Sequence, residues 1–303
     1  MEKYNEKSGQ DIYTRVTALI MEKLREGVVP WRITWKQAEF PANYLSKKPY
    51  NGINFWLLAS FGFEQPYFLT FLQVKELGGT IKKGEKALPV VYWNYVYTHI
   101  EDGRKIEAEQ VGNYPPGQIR KKSYLKHYNV FNISSVQGMD FERPERIAAP
   151  RKNSSIQSCE QFIDKILAKP SIHHGGNQAY YHPIKDFIQM PKIEDFHTPE
   201  NYYAVLFHEL IHATGHPDRL NREGVSGVHP FGTEEYSKEE LIAEMGAGFL
   251  CCHNGILNNE ILDNSSAYID GWLKVLSEDK QLLIQAASKA QKAVDYLLIE
   301  VPF

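Results

Sequence analysis

The sequence predicts an α+β protein of two domains: a small mixed α/β domain in the first half, and a mostly helical domain with a short sheet in the second. Three observations predict it. The chain has 303 residues, enough for two domains of ordinary size. A charged stretch with prolines and adjacent serines, residues 141–156, interrupts the apolar patterning and reads as a linker. Before it, short strand-like runs alternate with turns; after it, apolar residues recur mainly at helical spacing. The boundaries are therefore 1–140, a linker at 141–156, and 157–303.

Composition limits the class. The chain is 43% apolar and 23% charged, as in a globular protein. No apolar run reaches the roughly 18 residues of a membrane span. The N-terminal MEKYNEKSGQ has no apolar core, so no secretory signal is expected there. Three cysteines, Cys159, Cys251 and Cys252, make neither a disulfide framework nor a zinc knuckle, so a cytoplasmic location is expected. The net charge of -3 conceals an asymmetry: residues 1–150 hold 21 Lys+Arg against 16 Asp+Glu, whereas the remainder holds 13 against 21. A basic first half suits an anionic partner.

In chain order, residues 11–27 predict a helix capped by Asp11, with Ile12, Val16, Leu19/Ile20 and Leu24 on one face and Gly27 as its stop. Trp31 and Trp35 follow among Arg32 and Lys36, and the turn-rich loop after Pro41 carries Lys48, Tyr50 and Asn54. Tyr67 to Thr70 predict a strand, Phe71 to Leu77 a short helix, and Ile81 to Lys86 a basic turn with Lys82, Lys83 and Lys86. Pro89 to Tyr97 predict a strong strand, 98–123 a polar excursion or mobile loop containing Arg120-Lys121-Lys122, and Lys126 to Ile133 a returning strand. Lysines beside aromatic side chains on loops meet the needs of sequence-tolerant binding to single-stranded nucleic acid, although no zinc finger or RNA-recognition signature is present. The residues expected to touch the nucleic acid are Trp31, Trp35, Lys48, Tyr50, Asn54, Lys82, Lys83 and Lys86, the lysines on phosphates and the aromatic rings on bases.

The second half opens with a helix from Cys159 to Lys169, a His173-His174-Gly175-Gly176 loop, and two short strands at 179–181 and 186–190. Next comes YYAVLFHELIHATGH, from Tyr202 to His216. Thr198 can cap this helix, Pro199 suits its first position, and Gly215 stops it. His208 and His212, four apart, share one helical face and can hold one metal ion; Glu209 can reach a water on that metal. The expected ion is zinc, with manganese or another divalent metal as the alternative. A catalytic zinc takes a third protein ligand. Asp218, in an HExxHxxGxxD spacing, and His216 are candidates. Glu240 and Glu244 are favoured: they lie four apart on the next helix, SKEELIAEMGAGFLCC, which Ser237 can cap. Glu240 is expected as the ligand and Glu244 as its support, resembling the glutamate-zincin pattern. Glu209 would be the general base, and Tyr236 or His229 could stabilise an oxyanion. Tyr268–Leu276 and Leu282–Leu298 predict two further helices without chemistry.

These segments together resemble the ArdC antirestriction family of plasmid- and phage-associated proteins. The resemblance rests on Val16-Thr17, Pro30-Trp31, KPYNGIN at Lys48–Asn54, LTFLQVKELGGTIKKGEK at Leu69–Lys86 and YNVFNISSVQG at Tyr128–Gly138. In the second half it rests on HELIHATGH, RLNR at Arg219–Arg222 and YSKEELIAEMGAGFL at Tyr236–Leu250. It implies an N-terminal domain that binds single-stranded DNA, and double-stranded DNA more weakly. It also implies a C-terminal zincin-like metallopeptidase domain. Together these protect incoming plasmid or phage DNA from host restriction. The alternative expectation is a DNA-associated zinc protease that cuts a regulator or a DNA-bound protein; no membrane is implied.

Overall fold

A computed structural model of the chain describes residues 7–32, 40–141, 152–226, 234–256 and 266–299. The first half runs α1 (Lys7–Arg25), β1 (Ala42–Asn43), α2 (Ile53–Ala59), β2 (Tyr67–Thr70), α3 (Phe71–Glu76), β3 (Thr80–Ile81), β4 (Leu88–His99), β5 (Lys105–Ile106), β6 (Ile119–Asn132) and β7 (Val136–Gln137). The second half runs α4 (Lys152–Lys165), β8 (Ser171–His174), β9 (Tyr180–His182), β10 (Phe187–Met190), α5 (Pro199–Ala213), α6 (Glu223–Ser226), α7 (Glu234–His253), α8 (Ser266–Glu278) and α9 (Leu282–Ile299). The α+β class expected from the sequence is the class observed. Among the described residues, no helix is long and apolar enough to cross a membrane.

The first half is built on a sheet ordered β1-β2-β6-β4-β5. Its long members, β4 and β6, pair antiparallel without interruption from Leu88↔Val130 to His99↔Ile119. The expected polar excursion over 98–123 is therefore too wide. Alternating aromatic and β-branched residues on β4 extend the ladder to His99, and Arg120, Lys121 and Lys122 lie on strand β6 rather than on a loop. β2 pairs with β6 only at Val130–Asn132 and β5 with β4 only at Tyr97–Thr98, so between those ends β4 and β6 form a two-stranded ribbon. Such a ribbon is marginal alone in water. Val91 and Leu125, on one of its faces, are buried in the same cluster as Ile12, Val16 and Ile20 of α1, which supports it. α1 itself begins at Lys7, so Asp11 lies within the helix instead of capping it.

The core crosses the expected domain boundary. Ile12, Val16, Trp31, Phe55 and Trp56 join one cluster with Leu241, Phe249, Leu283 and Ala287. The ring of Phe249 lies 4.7 Å from that of Trp56 and 5.0 Å from that of Phe55. Gly248 makes this possible: a Cβ there would meet Trp56 at 2.7 Å and the Trp31 carbonyl at 2.9 Å. Thr17 Oγ1 donates to the Lys280 carbonyl at 2.9 Å, tying α1 to the turn before α9. Of the expected linker at 141–156, residues 152–156 already belong to α4, and 142–151 lie outside the described residues.

The second half places a small sheet, ordered β8-β10-β9, beside the α5 helix. His173 and His174 belong to β8, paired parallel with Gln189 and Met190, and not to a loop. β9 and β8 are the two edge strands, and β9 is the one that borders the cavity lined by His208 and His212. Tyr181 on β9 donates its hydroxyl to Asp186 at 2.7 Å, and Arg219 holds Asp186 with both guanidinium nitrogens while Nε donates to the Ala213 carbonyl at 2.7 Å. This network pins β9 to the C-terminal end of α5. The hydrogen-bonded Arg219 guanidinium, aided by Tyr181, holds the Asp186 carboxyl below the usual carboxylate range. A depressed carboxyl contributes stability above its unfolded pKa and loses it as pH falls through the lower folded value. The wild type is therefore expected to lose its stability advantage over Asp186→Asn as pH falls below about 4, measured by denaturant titration across pH; asparagine also tolerates the φ of 50° at this position.

Candidate metal centre

α5 starts where the sequence expects. Thr198 Oγ1 accepts from the Asn201 amide at 3.3 Å, and Pro199 opens the helix. Most of the helix is buried, including Phe207, Glu209, Leu210 and Ile211. α7 lies against it, and Gly246 permits the approach: a Cβ there would meet Ile211 at 2.7 Å. Because α7 starts at Glu234, Ser237 lies inside the helix, and Glu240 has no capping role.

This packing brings three donors to one point. The Nε2 atoms of His208 and His212 are 3.0 Å apart, and the Glu240 carboxylate oxygens lie 3.5 Å from each. Donors about 2.0–2.1 Å from a tetrahedral ion stand about 3.3 Å from one another. His208, His212 and Glu240 form the candidate metal cluster among the described residues. Two imidazole lone pairs this close repel unless a cation or proton sits between them, so the donor set fits a divalent metal. Burial alone would lower the pKa of His212, yet the carboxylates of Glu239 and Glu240 outweigh it and hold the pKa up to about 10. Burial likewise opposes ionisation of Glu240, but hydrogen bonds from the two imidazoles keep its carboxyl well below the usual range. The site is tuned for positive charge.

Glu239 completes it. Its Oε1 faces His212 Nδ1 at 3.4 Å, directing Nε2 toward the cluster. The buried Arg222 holds Glu239 from the other side at 2.7 Å and also donates to Thr214 Oγ1 and the Ile211 carbonyl, both at 2.6 Å. The sequence reading missed both residues. Its i, i+4 rule picked Glu244, whereas successive residues Glu239 and Glu240 straddle the α5–α7 contact. The available signals were the adjacent carboxylates and the arginine in RLNR.

Several expectations need correction. Glu244 does not support the cluster: one turn further along α7, its Oε2 accepts from Trp31 Nε1 at 2.8 Å and from the Tyr268 hydroxyl. Trp31 is 3% exposed and packs edge-on against Trp272, so it cannot stack on a base. Tyr50 is buried against Phe68, and Asn54 spends both ends of its amide on the backbone of Val91. Asp218 is 91% exposed and lies 3.7 Å from His216, and neither residue joins the cluster. Lys48, Lys82, Lys83 and Lys86 are exposed, with Lys82 Nζ donating to the Ser134 carbonyl. Trp35, His229 and the side chain of Tyr236 lie outside the described residues. Glu209 lines a cavity of about 440 Å³ together with the cluster, Tyr180 and Tyr181 of the β9 edge, and Val225.

A HExxH helix crossed by a glutamate-bearing helix, with a short sheet whose edge borders the cleft, defines a zincin-like protein. Residues 157–289 match the zincin-like metallopeptidase family, and residues 10–131 match the N-terminal domain of anti-restriction factor ArdC. The crystal structure of antirestriction ArdC protein from the R388 plasmid, metal-free, is 34% identical, with 96% of this chain and 98% of that chain covered and a TM-score of 0.70. Its Mn(II)-bound structure is 33% identical, with 95% and 97% covered and a TM-score of 0.71. Uncharacterized protein y4eC of Sinorhizobium fredii is 32% identical over 295 residues, covering 95% of this chain and 91% of that protein. DNA primase TraC of Escherichia coli is 32% identical over 301 residues, but the matched region spans only 27% of the primase. The chain belongs to the ArdC antirestriction family.

Glu239→Gln is expected to weaken divalent-metal affinity about 10- to 100-fold, measured by competition with a chromogenic chelator. In the wild type, metal binding at pH 7 is expected to release a proton, because the Glu239 and Glu240 carboxylates push the His212 pKa up and favour the protonated ring that a metal must displace. Calorimetry in buffers of different ionisation enthalpy reads that release directly.

Proposed function

We propose that this protein is an antirestriction factor that binds single-stranded DNA in preference to duplex and protects incoming plasmid or phage DNA in the cytoplasm, with a zinc centre in its second half. The observation that carries this reading is the convergence of His208, His212 and Glu240 on one cavity with Glu209, in a chain that is similar to an antirestriction protein over nearly its whole length. Lys48, Lys82, Lys83 and Lys86 supply exposed positive charge for phosphates. Single-stranded oligothymidine is expected to bind the full chain at least about tenfold more tightly than duplex of the same length, with affinity falling steeply between two salt concentrations. Equal affinity for the two would remove the single-strand preference.

A second reading, a DNA-associated zinc protease that cuts a regulator or DNA-bound protein, is favoured by the β9 edge beside the cavity, where an extended peptide could add as a strand. Zinc held there would supply a Lewis acid and lower the pKa of an attacking water to about 7. The Glu209 carboxylate would accept the proton of that water and return it to the leaving amine. Glu209→Gln keeps the donor set and removes the base. In a conjugation assay into a restricting host, full protection by this variant with its metal retained assigns protection to DNA binding; loss of protection assigns it to hydrolysis.

A further inference from the structure

We propose that one face of the β4–β6 ribbon is the platform on which single-stranded DNA lies. The inference rests on the single-strand reading above and gives it residues that differ from the lysines just named. In an antiparallel pair, residues directly opposite share a face. The register places Val90↔Tyr128, Tyr92↔Lys126, Asn94↔Tyr124, Val96↔Lys122 and Thr98↔Arg120 on one side. These ten residues include three tyrosines and three cations and no carboxylate, and at the outer edge β5 sets Lys105, paired with Glu107, opposite Thr98. The positive charge of this face is complementary to phosphate, and its rings offer π-faces to bases.

The geometry fits a strand of nucleic acid. Alternate residues on β6 are about 6.8 Å apart, so Tyr124, Lys126 and Tyr128 span about 14 Å, enough for two or three bases laid across a sheet. Tyr92 is 44% exposed and Tyr128 is 39% exposed, with ring centroids 6.0 Å apart. Tyr124 carries the Lys126 ammonium 5.6 Å from its ring, a cation beside a stacking surface. The opposite face is already used. Val91, Trp93 and Leu125 there pack on the core, and further out Lys121 sits 3.9 Å over the Tyr95 ring. Leaving tyrosines exposed on a two-stranded ribbon gains no core packing, whereas base stacking on such rings is sequence-tolerant.

The test is fluorescence anisotropy of the full chain with labelled oligothymidine at several salt concentrations. Tyr92→Leu with Tyr128→Leu is expected to weaken binding about tenfold or more with the salt slope unchanged, and Tyr92→Phe with Tyr128→Phe to restore it to within about twofold. Arg120→Gln, Lys122→Gln and Lys126→Gln together are expected to flatten the slope of log affinity against log salt by about 2. Tyr95→Leu with Lys121→Gln, on the opposite face, is expected to stay within about twofold. Far-UV circular dichroism and thermal melting confirm that each variant is folded; should the leucine pair unfold, the phenylalanine and glutamine sets still decide. Wild-type binding left intact by the ribbon variants, or weakened equally from the opposite face, overturns this placement alone. No binding by the wild type overturns the single-strand reading as well.

Discussion

The close approach of α5 and α7 is the constraint on which the rest depends. Gly246 lets Ile211 into the groove of α7, and only at that separation do His208, His212 and Glu240 reach a common point. The same contact is locked from the side by Arg222, whose guanidinium bridges Glu239 on α7 to the last turn of α5. A buried arginine and glutamate are costly to desolvate, and breaking such a pair by removing one partner costs about 3–5 kcal/mol. Here the pair also orients a ligand, since Glu239 fixes the ring of His212. Structural and chemical roles meet in one carboxylate.

The first half is joined to this centre through α7. Glu240 faces the cluster, while Glu244, one turn on, receives Trp31 and Tyr268. Gly248 admits the Trp31 backbone and the Trp56 ring beside it. A single helix therefore carries the third candidate donor on one side and the anchor of the N-terminal segment on the other. The two segments matched by separate family models share a hydrophobic core and form one packed unit at α1, α2, α7 and α9.

Away from that unit, the β4–β6 ribbon extends with only one face supported. Its inner end is covered by Tyr50, Leu58 and Phe68, and its outer end presents tyrosines and lysines to solvent. Buried aromatics near the base and exposed aromatics further out divide the work. The buried ones fix the sheet, and the exposed ones are available to a partner. Trp31 and Tyr50 drew notice in the sequence because aromatic residues beside basic ones look alike whether they face inward or outward.

Local spacing by itself determined the HExxH helix, its Thr198–Pro199 start, the two histidines on one face, Glu240 and Glu244 as candidate donors on the following helix, and the α+β class. These follow from 3.6-residue periodicity and end signals that any short window contains. Tertiary structure decided the rest. Whether Glu239 or Glu244 serves His212 depends on the crossing of α5 and α7, not on spacing within α7. Whether Trp31 meets a base or Glu244 depends on which helix lies across it. Arg120, Lys122 and Lys126 share a face with Tyr92 and Tyr128 only through the β4–β6 register, a pairing between residues some thirty positions apart in the chain that no local pattern encodes.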